Sequence, residues 1–366
     1  MTVLWWAQVR SVIRLEMKKT FFARRGLWIY ILALLPLLLF AGRSVMTSRD
    51  RARSSDLARR SDKRLTSQDL LAVTPGMTSQ EVIALLGKPP IRFHWDEQRP
   101  LESGEVVTVS HESYRYSDGA SDLVLDLADG KVIAIEIRSA YNLPEDSVVF
   151  AGVFQFFYLR LAVFFGCLGI FMNLFRGEIL DKSLHFYFLA PIRRDVLMVG
   201  KFLAGLLATC IIFVTSELLQ IIVFVWSFSP NARDLYLYQN HGLANSLVYL
   251  GVTALACLGY GAFFLAAGML FRNPILPAAA ILIWEGINPF LPALLKKVSV
   301  IYYLKSLCPV EIPNPPGTPP FLSLLISNPD PVSTPAAILG IVTVALLVLY
   351  ISSFQVRRME INYTTE

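Results

Sequence analysis

Long apolar runs alternate with short charged connections along this chain. A helix needs about 20 consecutive apolar residues to cross the hydrocarbon core of a bilayer. Six segments fit that pattern: Leu27–Ala41, Val148–Phe175, Phe202–Phe228, Ala244–Phe271, Pro274–Leu295 and Pro335–Phe354. The first is short, and its flanking Arg24, Arg25 and Arg43 must snorkel to water. The fifth holds Pro277, Gly286, Pro289 and Pro292. It predicts a broken helix, because internal prolines remove backbone donors and clash with the preceding turn. Ahead of the first span, Val3–Phe22 mixes Trp5, Trp6, Val9, Val12, Ile13 and Leu15 with basic residues, the pattern of an amphipathic helix on a membrane surface. The expected class is a polytopic α-helical membrane protein with six transmembrane helices and a small α+β domain inserted between the first two.

That insert is where the apolar pattern stops. Thr78-Ser79-Gln80-Glu81 is a capping box opening a helix, which Gly87 and Pro89 should end. Strands are predicted at Ile91–Asp96, Val106–Tyr116, Leu123–Leu127 and Val132–Arg138. Leu123, Leu125 and Leu127 alternate with other residues, as do Ile133, Ile135 and Ile137, which suits a sheet with one buried face. Asp129-Gly130 is a hairpin signal, since a type I′ turn wants positive φ at both central residues. The organisation read from these patterns is 1–42 surface helix and first span, 43–64 basic linker, 65–147 inserted domain, and 148–366 remaining spans with a connecting loop at 176–201. The proline-rich stretch 296–334 is expected to rest at the outer interface, its Phe321–Ile326 being too short to span.

Composition agrees with the pattern. Of the 366 residues 54% are hydrophobic and 17% charged, against about 25% charged in soluble proteins. Most of the positive charge flanks the apolar runs, so a nucleic-acid partner is not expected. Lysine and arginine set orientation. Arg10, Arg14, Lys18, Lys19, Arg24 and Arg25 precede the first span. Arg176, Lys182, Arg193, Arg194 and Lys201 lie between the second and third, Arg272 follows the fourth, and Arg357 and Arg358 end the sixth. With six spans all fall on one side, the cytoplasmic one, together with both termini. The basic run from Arg43 to Arg64 opposes this, but it leads into a long domain, and long domains translocate largely regardless of charge. The basic region before the first apolar run is long and no A-x-A-like site follows it, which disfavours a signal peptide. Cys167, Cys210 and Cys257 lie in apolar runs and Cys308 in a loop, with no metal-ligand spacing. His94 and His111 lie in strands of the insert without nearby cysteines or a clear acidic cluster, and read as surface or half-buried histidines.

Two stretches resemble known families. Val73-Thr74-Pro75-Gly76-Met77-Thr78-Ser79-Gln80-Glu81-Val82, closing in Leu86-Gly87-Lys88-Pro89, resembles the SmpA/OmlA (BamE-like) domain of bacterial envelope proteins. So do Tyr114, Tyr116 and Asp129-Gly130-Lys131-Val132. That resemblance implies an extracytoplasmic domain that binds or assembles with a protein partner through residues 65–140. Unlike lipoprotein members, this copy has no lipidated cysteine. The loop from Arg176 to Lys201 is a short amphipathic segment, a proline turn, a basic pair and then the next span. It resembles the ABC-2 type ABC transporter permeases at Glu178, Leu184, Pro191, Ile192, Arg194, Gly200 and Lys201. The six-span layout with an N-terminal surface helix is similar too.

This second resemblance implies a bacterial inner-membrane permease that pairs with a second copy or paralogue. A separate cytoplasmic ABC ATPase supplies ATP, and no cofactor is bound directly. Glu178, Asp181, Leu184, Phe188, Pro191, Arg193 and Arg194 become the ATPase-coupling residues. The chain has no phosphate-binding loop of its own: Gly87, Gly130 and Gly200 precede lysines, but none has the upstream glycine and following Ser or Thr.

Three ionisable residues fall inside the spans: Arg160, Glu217 and Glu285. Charges in hydrocarbon are costly and usually face protein or water. Arg160 and Glu217 each lie 16 residues from the cytoplasmic flank, about 24 Å along a helix. Their matched depth predicts an Arg160–Glu217 pair. Glu285, beside Gly286 and Pro289, is placed to cap freed N–H groups or to line a polar path. The alternatives are a membrane-anchored envelope assembly or sensing protein acting through the insert, and an intramembrane enzyme using Glu217 or Glu285. No paired-glutamate or His-Glu motif within a span supports the latter.

Overall fold

In a computed structural model of the chain, the described residues are 2–22, 26–100, 106–119, 121–139, 143–180, 193–228, 230–271, 273, 275–313 and 332–358. They divide into two compact units: Met1–Phe40 with Ser147–Val225 and Asp234–Glu366, and Ala41–Asp146 with Trp226–Arg233.

The first unit is helical. Five helices are long and apolar enough to cross a membrane: Leu27–Arg60, Glu145–Glu178, Arg194–Trp226, Gly242–Leu270 and Thr334–Arg357. The protein is membrane-embedded on that ground. The remaining apolar segment, expected at 274–295, is not one helix. It runs as a 12-residue helix Ile275–Gly286, a single 3-10 turn Asn288–Phe290 and a short helix Ala293–Lys296. Pro289 and Pro292 sit at the two breaks, where a proline cannot donate to the preceding turn. A further helix, Val300–Leu307, follows and is almost wholly buried.

The break in that segment is as expected, and two expectations change in the other helices. The basic stretch after the first span is not a linker, because the helix beginning at Leu27 continues without interruption to Arg60. Its many arginines are good helix formers, and Arg60 pairs with Asp56 one turn earlier at 2.7 Å. The second span is α-helical at Leu143–Gly152 and Phe164–Leu180 but π-helical across Val153–Val163. The π segment rotates every later side chain relative to an uninterrupted α-helix.

Close approach of the second and fourth spanning helices depends on small residues. A Cβ at Gly268 would lie 3.0 Å from the Cα of Met172, and one at Gly261 2.5 Å from the Phe171 ring. Such residues let backbones meet where lipid gives no hydrophobic drive between helices. Hydrogen bonds reinforce the bundle: Tyr158 donates to the carbonyl of Phe213, and Ser216 donates to that of Ala33. Phe150, Phe154, Phe224 and Tyr249 fill the space between them, with ring centroids 4.6–5.2 Å apart. Cys257 has Cys167 and Cys210 as electrostatic neighbours, so cysteines from three spans lie near one another.

The second unit contains a four-stranded antiparallel meander, β1 Ile91–Pro100, β2 Val106–Ser117, β3 Ser121–Ala128 and β4 Lys131–Ser139. One face is covered by the helices Ser67–Leu71 and Ser79–Leu86. The core joins Leu70, Val82 and Leu86 to Tyr114, Tyr116, Leu123, Leu125 and Leu127. Thr78 and Glu81 form the capping box, the Thr78 N–H donating to Glu81 Oε2 at 2.8 Å, and Gly87 ends the helix at φ 85°. Asp129 and Gly130 both have positive φ, 48° and 75°, as the hairpin turn requires. The isoleucine alternation fails at one point. A register shift at Asp126/Leu127 sets Val132 opposite Leu127 and leaves Ile133 56% exposed. Ile135 still packs on the core, while Ile137 is 41% exposed. On the opposite face Ser54 donates to Asp122 at 2.9 Å, fixing the C-terminal half of the Leu27–Arg60 helix to the sheet.

Candidate functional site

The helix Thr2–Phe22 (α1) turns a narrow stripe inward: Val9, Val12 and Glu16 are buried at helical spacing. Val12 packs on Gly200, where an added Cβ would come within 2.9 Å of the valine. One turn further on, Glu16 meets Lys201. The ammonium of Lys201 donates to Glu16 Oε1 at 2.7 Å and to the backbone carbonyl of Leu174 at 2.7 Å, and it lies 2.8 Å from Glu178 Oε2. Lys19 completes the group, donating to Glu178 Oε1 at 2.9 Å. Lys201 is fully buried and its two carboxylates nearly so, while the Lys19 side chain is 47% exposed. The Phe175 ring lies 5.4 Å from the ammonium.

Two carboxylates and two ammonium groups therefore balance inside the protein. Buried charges are tolerated only when paired and hydrogen-bonded. The geometry also has a topological meaning. Glu178 ends the second span and Lys201 begins the third, so the network grips both flanks of the 181–192 connection and ties them to α1.

Of the residues singled out from the sequence, Glu178 is at the centre of this network. Arg193 is exposed and pairs with Asp195 at 2.8 Å, while Arg194 donates to the carbonyl of Arg357 at 2.9 Å. Asp181, Leu184, Phe188 and Pro191 lie outside the described residues. Glu16 and Lys19 were missed. The available signal was composition: Glu16 is the only acid before Asp50, and it falls on the same helical face as Val9 and Val12.

The intramembrane charges are arranged differently from expectation. Glu217 is wholly buried and neither carboxyl oxygen has a hydrogen-bond partner. Its electrostatic neighbours are Tyr158, Tyr249 and Cys308, not Arg160. The predicted Arg160–Glu217 pair is corrected accordingly. Arg160 stacks over Phe156 at 5.2 Å and interacts with Tyr260 and Glu285. Matching residues by depth assumed an unbroken α-helix, and the π segment containing Arg160 changes which neighbour it faces. Glu285 accepts three hydrogen bonds, from the Ser299 hydroxyl at 2.6 Å, the Val300 N–H at 3.0 Å and the Ile301 N–H at 2.9 Å. It thereby caps the helix Val300–Leu307 from another element.

In the insert, His94 lies 3.4 Å from Asp96, and His111 lies 3.1 Å from Glu97 with its ring stacked on Trp95. Among the described residues no cluster of three His, Cys, Asp or Glu side chains is arranged to hold a metal. No protein-family model, curated protein or solved structure matches the chain.

Proposed function

We propose that the chain is the permease subunit of an ABC-2 type exporter in a bacterial inner membrane. It crosses the bilayer six times, the interrupted segment 275–296 being the fifth crossing. Both termini are cytoplasmic and the insert is extracytoplasmic. It works as a dimer with a second copy or paralogue and takes its energy from a separate ATPase. The observation that carries this reading is the Glu16–Lys201–Glu178–Lys19 network. A loop that receives a push from an ATPase must be held stiffly at both ends, or the push dissipates in side-chain motion. Here both flanks of 181–192 are bound to each other and to a third helix through buried ion pairs.

The test is affinity purification in mild detergent of the wild type and of an Arg193→Glu, Arg194→Glu variant, with identification of co-purifying proteins. An ATP-binding subunit retained by the first and lost from the second supports the reading. Consistent absence of any ATPase, with envelope proteins present instead, sinks it. The second reading, an assembly or sensing protein acting through the insert, is favoured by one observation: Phe93 and Trp95 are 51% and 45% exposed on one face of β1.

A further inference from the structure

We propose that the outward face of α1 is a binding site for anionic phospholipid headgroups, formed by Arg10, Arg14 and Lys18. The inference does not depend on the transport reading. The three cations recur every four residues, so they form one row about 12 Å long on the helix surface. All three are exposed, and no acidic side chain among the described residues pairs with them. The acids near this helix, Glu16 and Glu178, are on its inner side and are already bound to Lys19 and Lys201.

Two further observations separate this row from an ordinary solvated surface. It is flanked by large apolar side chains: Trp6 is 62% exposed on one side and Leu15 45% on the other. Water gives those groups nothing, whereas the headgroup layer favours an indole and a leucine beside cations. The helix is also held at the level where a bilayer surface belongs. Its middle packs on Gly200 and Lys201, immediately before the apolar run of the third span. Its end leads within a few residues to Leu27, where the first span begins. A phosphodiester carries one negative charge and unshared oxygens, which suits guanidinium and ammonium donors. An acidic protein segment would satisfy the charges but leave Trp6 and Leu15 without a purpose.

The test uses the full-length protein, purified and stripped of native lipid in neutral detergent, then titrated with phosphatidylglycerol or phosphatidylcholine. Bound lipid is counted by native mass spectrometry. Wild type should prefer phosphatidylglycerol, and the preference should weaken with salt. The Arg10→Gln, Arg14→Gln, Lys18→Gln variant should lose on the order of 100-fold in apparent affinity for it. Arg14→Gln alone should lose about fivefold, which serves if the triple variant is unstable. Millimolar inorganic phosphate should not compete; competition would mean a free-phosphate site and overturn the assignment to lipid. Equal binding by wild type and both variants overturns the proposal. So does loss of a co-purifying acidic protein from the variants with lipid binding unchanged.

Discussion

Replacing Lys201 by methionine removes a fully buried cation that both buried carboxylates touch. At an effective dielectric of about 20, each contact at 2.7–2.8 Å contributes about 6 kcal/mol of attraction. Desolvation of the three ions, several kcal/mol apiece, offsets most of this while the network is intact. In the variant the two glutamates stay buried, and Lys19, which contacts Glu178, is half in water. The expected loss is about 3–5 kcal/mol of stability in the membrane unit. Cys167 and Cys257 are fully buried there, so their labelling rate by a thiol reagent across a denaturant series measures it directly. Glu16→Gln added to Lys201→Met removes one charge of each sign and leaves the Lys19–Glu178 pair. The double variant should recover about 2 kcal/mol of the loss, a non-additivity typical of groups in one network. A cost below about 1 kcal/mol for Lys201→Met, or strict additivity in the double variant, would refute the reasoning.

Other perturbations discriminate between the remaining features. Glu285→Ala strands a hydroxyl and two N–H groups at the start of the helix Val300–Leu307 and should cost about 2–4 kcal/mol, whereas Glu217→Gln breaks no hydrogen bond and should cost under about 1 kcal/mol. Labelling of Cys308, just after that helix, separates the two. Gly268→Ala puts a methyl against the Met172 backbone, which cannot rotate away, so about 1–3 kcal/mol should be lost in the same thiol assay. In the insert, Thr78→Ala should destabilise the helix Ser79–Leu86 by about 1 kcal/mol at neutral pH, read as faster hydrogen exchange at residues 82–87. The Thr78 backbone N–H holds the Glu81 carboxyl below its ordinary value of 4.5, so the carboxylate's own half of the capping box is complete above that value and is lost as pH falls through the lower folded one. Protection at 82–87, taken relative to the intrinsic exchange rate at each pH, should fall on acidification in that window, and a pH-independent difference between wild type and Glu81→Gln would contradict the assignment.

Local signals in the sequence translated well. The capping box at Thr78 and Glu81 and the Asp129-Gly130 turn each involve residues three or one apart, and nothing distant competes with them. Apolar length likewise located five helices long and apolar enough to span. What could not be read depended on phase. Period two placed Ile133 with Ile135 and Ile137, yet one bulge shifts it off the core face. Helical depth paired Arg160 with Glu217, yet eleven π-helical residues point the arginine elsewhere. A bulge or a π segment is stabilised by partners across the fold, so no short window contains its cause. The network at Lys201 was half legible: Glu178 and Lys201 stood out as flanks of one loop, but their meeting with Glu16 spans 185 residues from glutamate to lysine.

The same network separates two meanings of a positive charge beside a span. Lys19 and Lys201 were counted with their neighbours as markers of the cytoplasmic side. In the folded protein both are bound to carboxylates, and Lys201 sees no solvent. That does not remove them from the orientation argument, because the lysine and arginine bias acts on the chain as it inserts, before the helices pack. It does change what is left to interact with lipid afterwards. Once Lys19 and Lys201 are neutralised by Glu16 and Glu178, the basic row of α1 with no acidic partner among the described residues is Arg10, Arg14 and Lys18. The charges that orient the chain and those that can hold a headgroup are therefore overlapping but different sets. Substituting Lys201 should disturb packing without altering lipid preference, and substituting Arg14 should do the reverse.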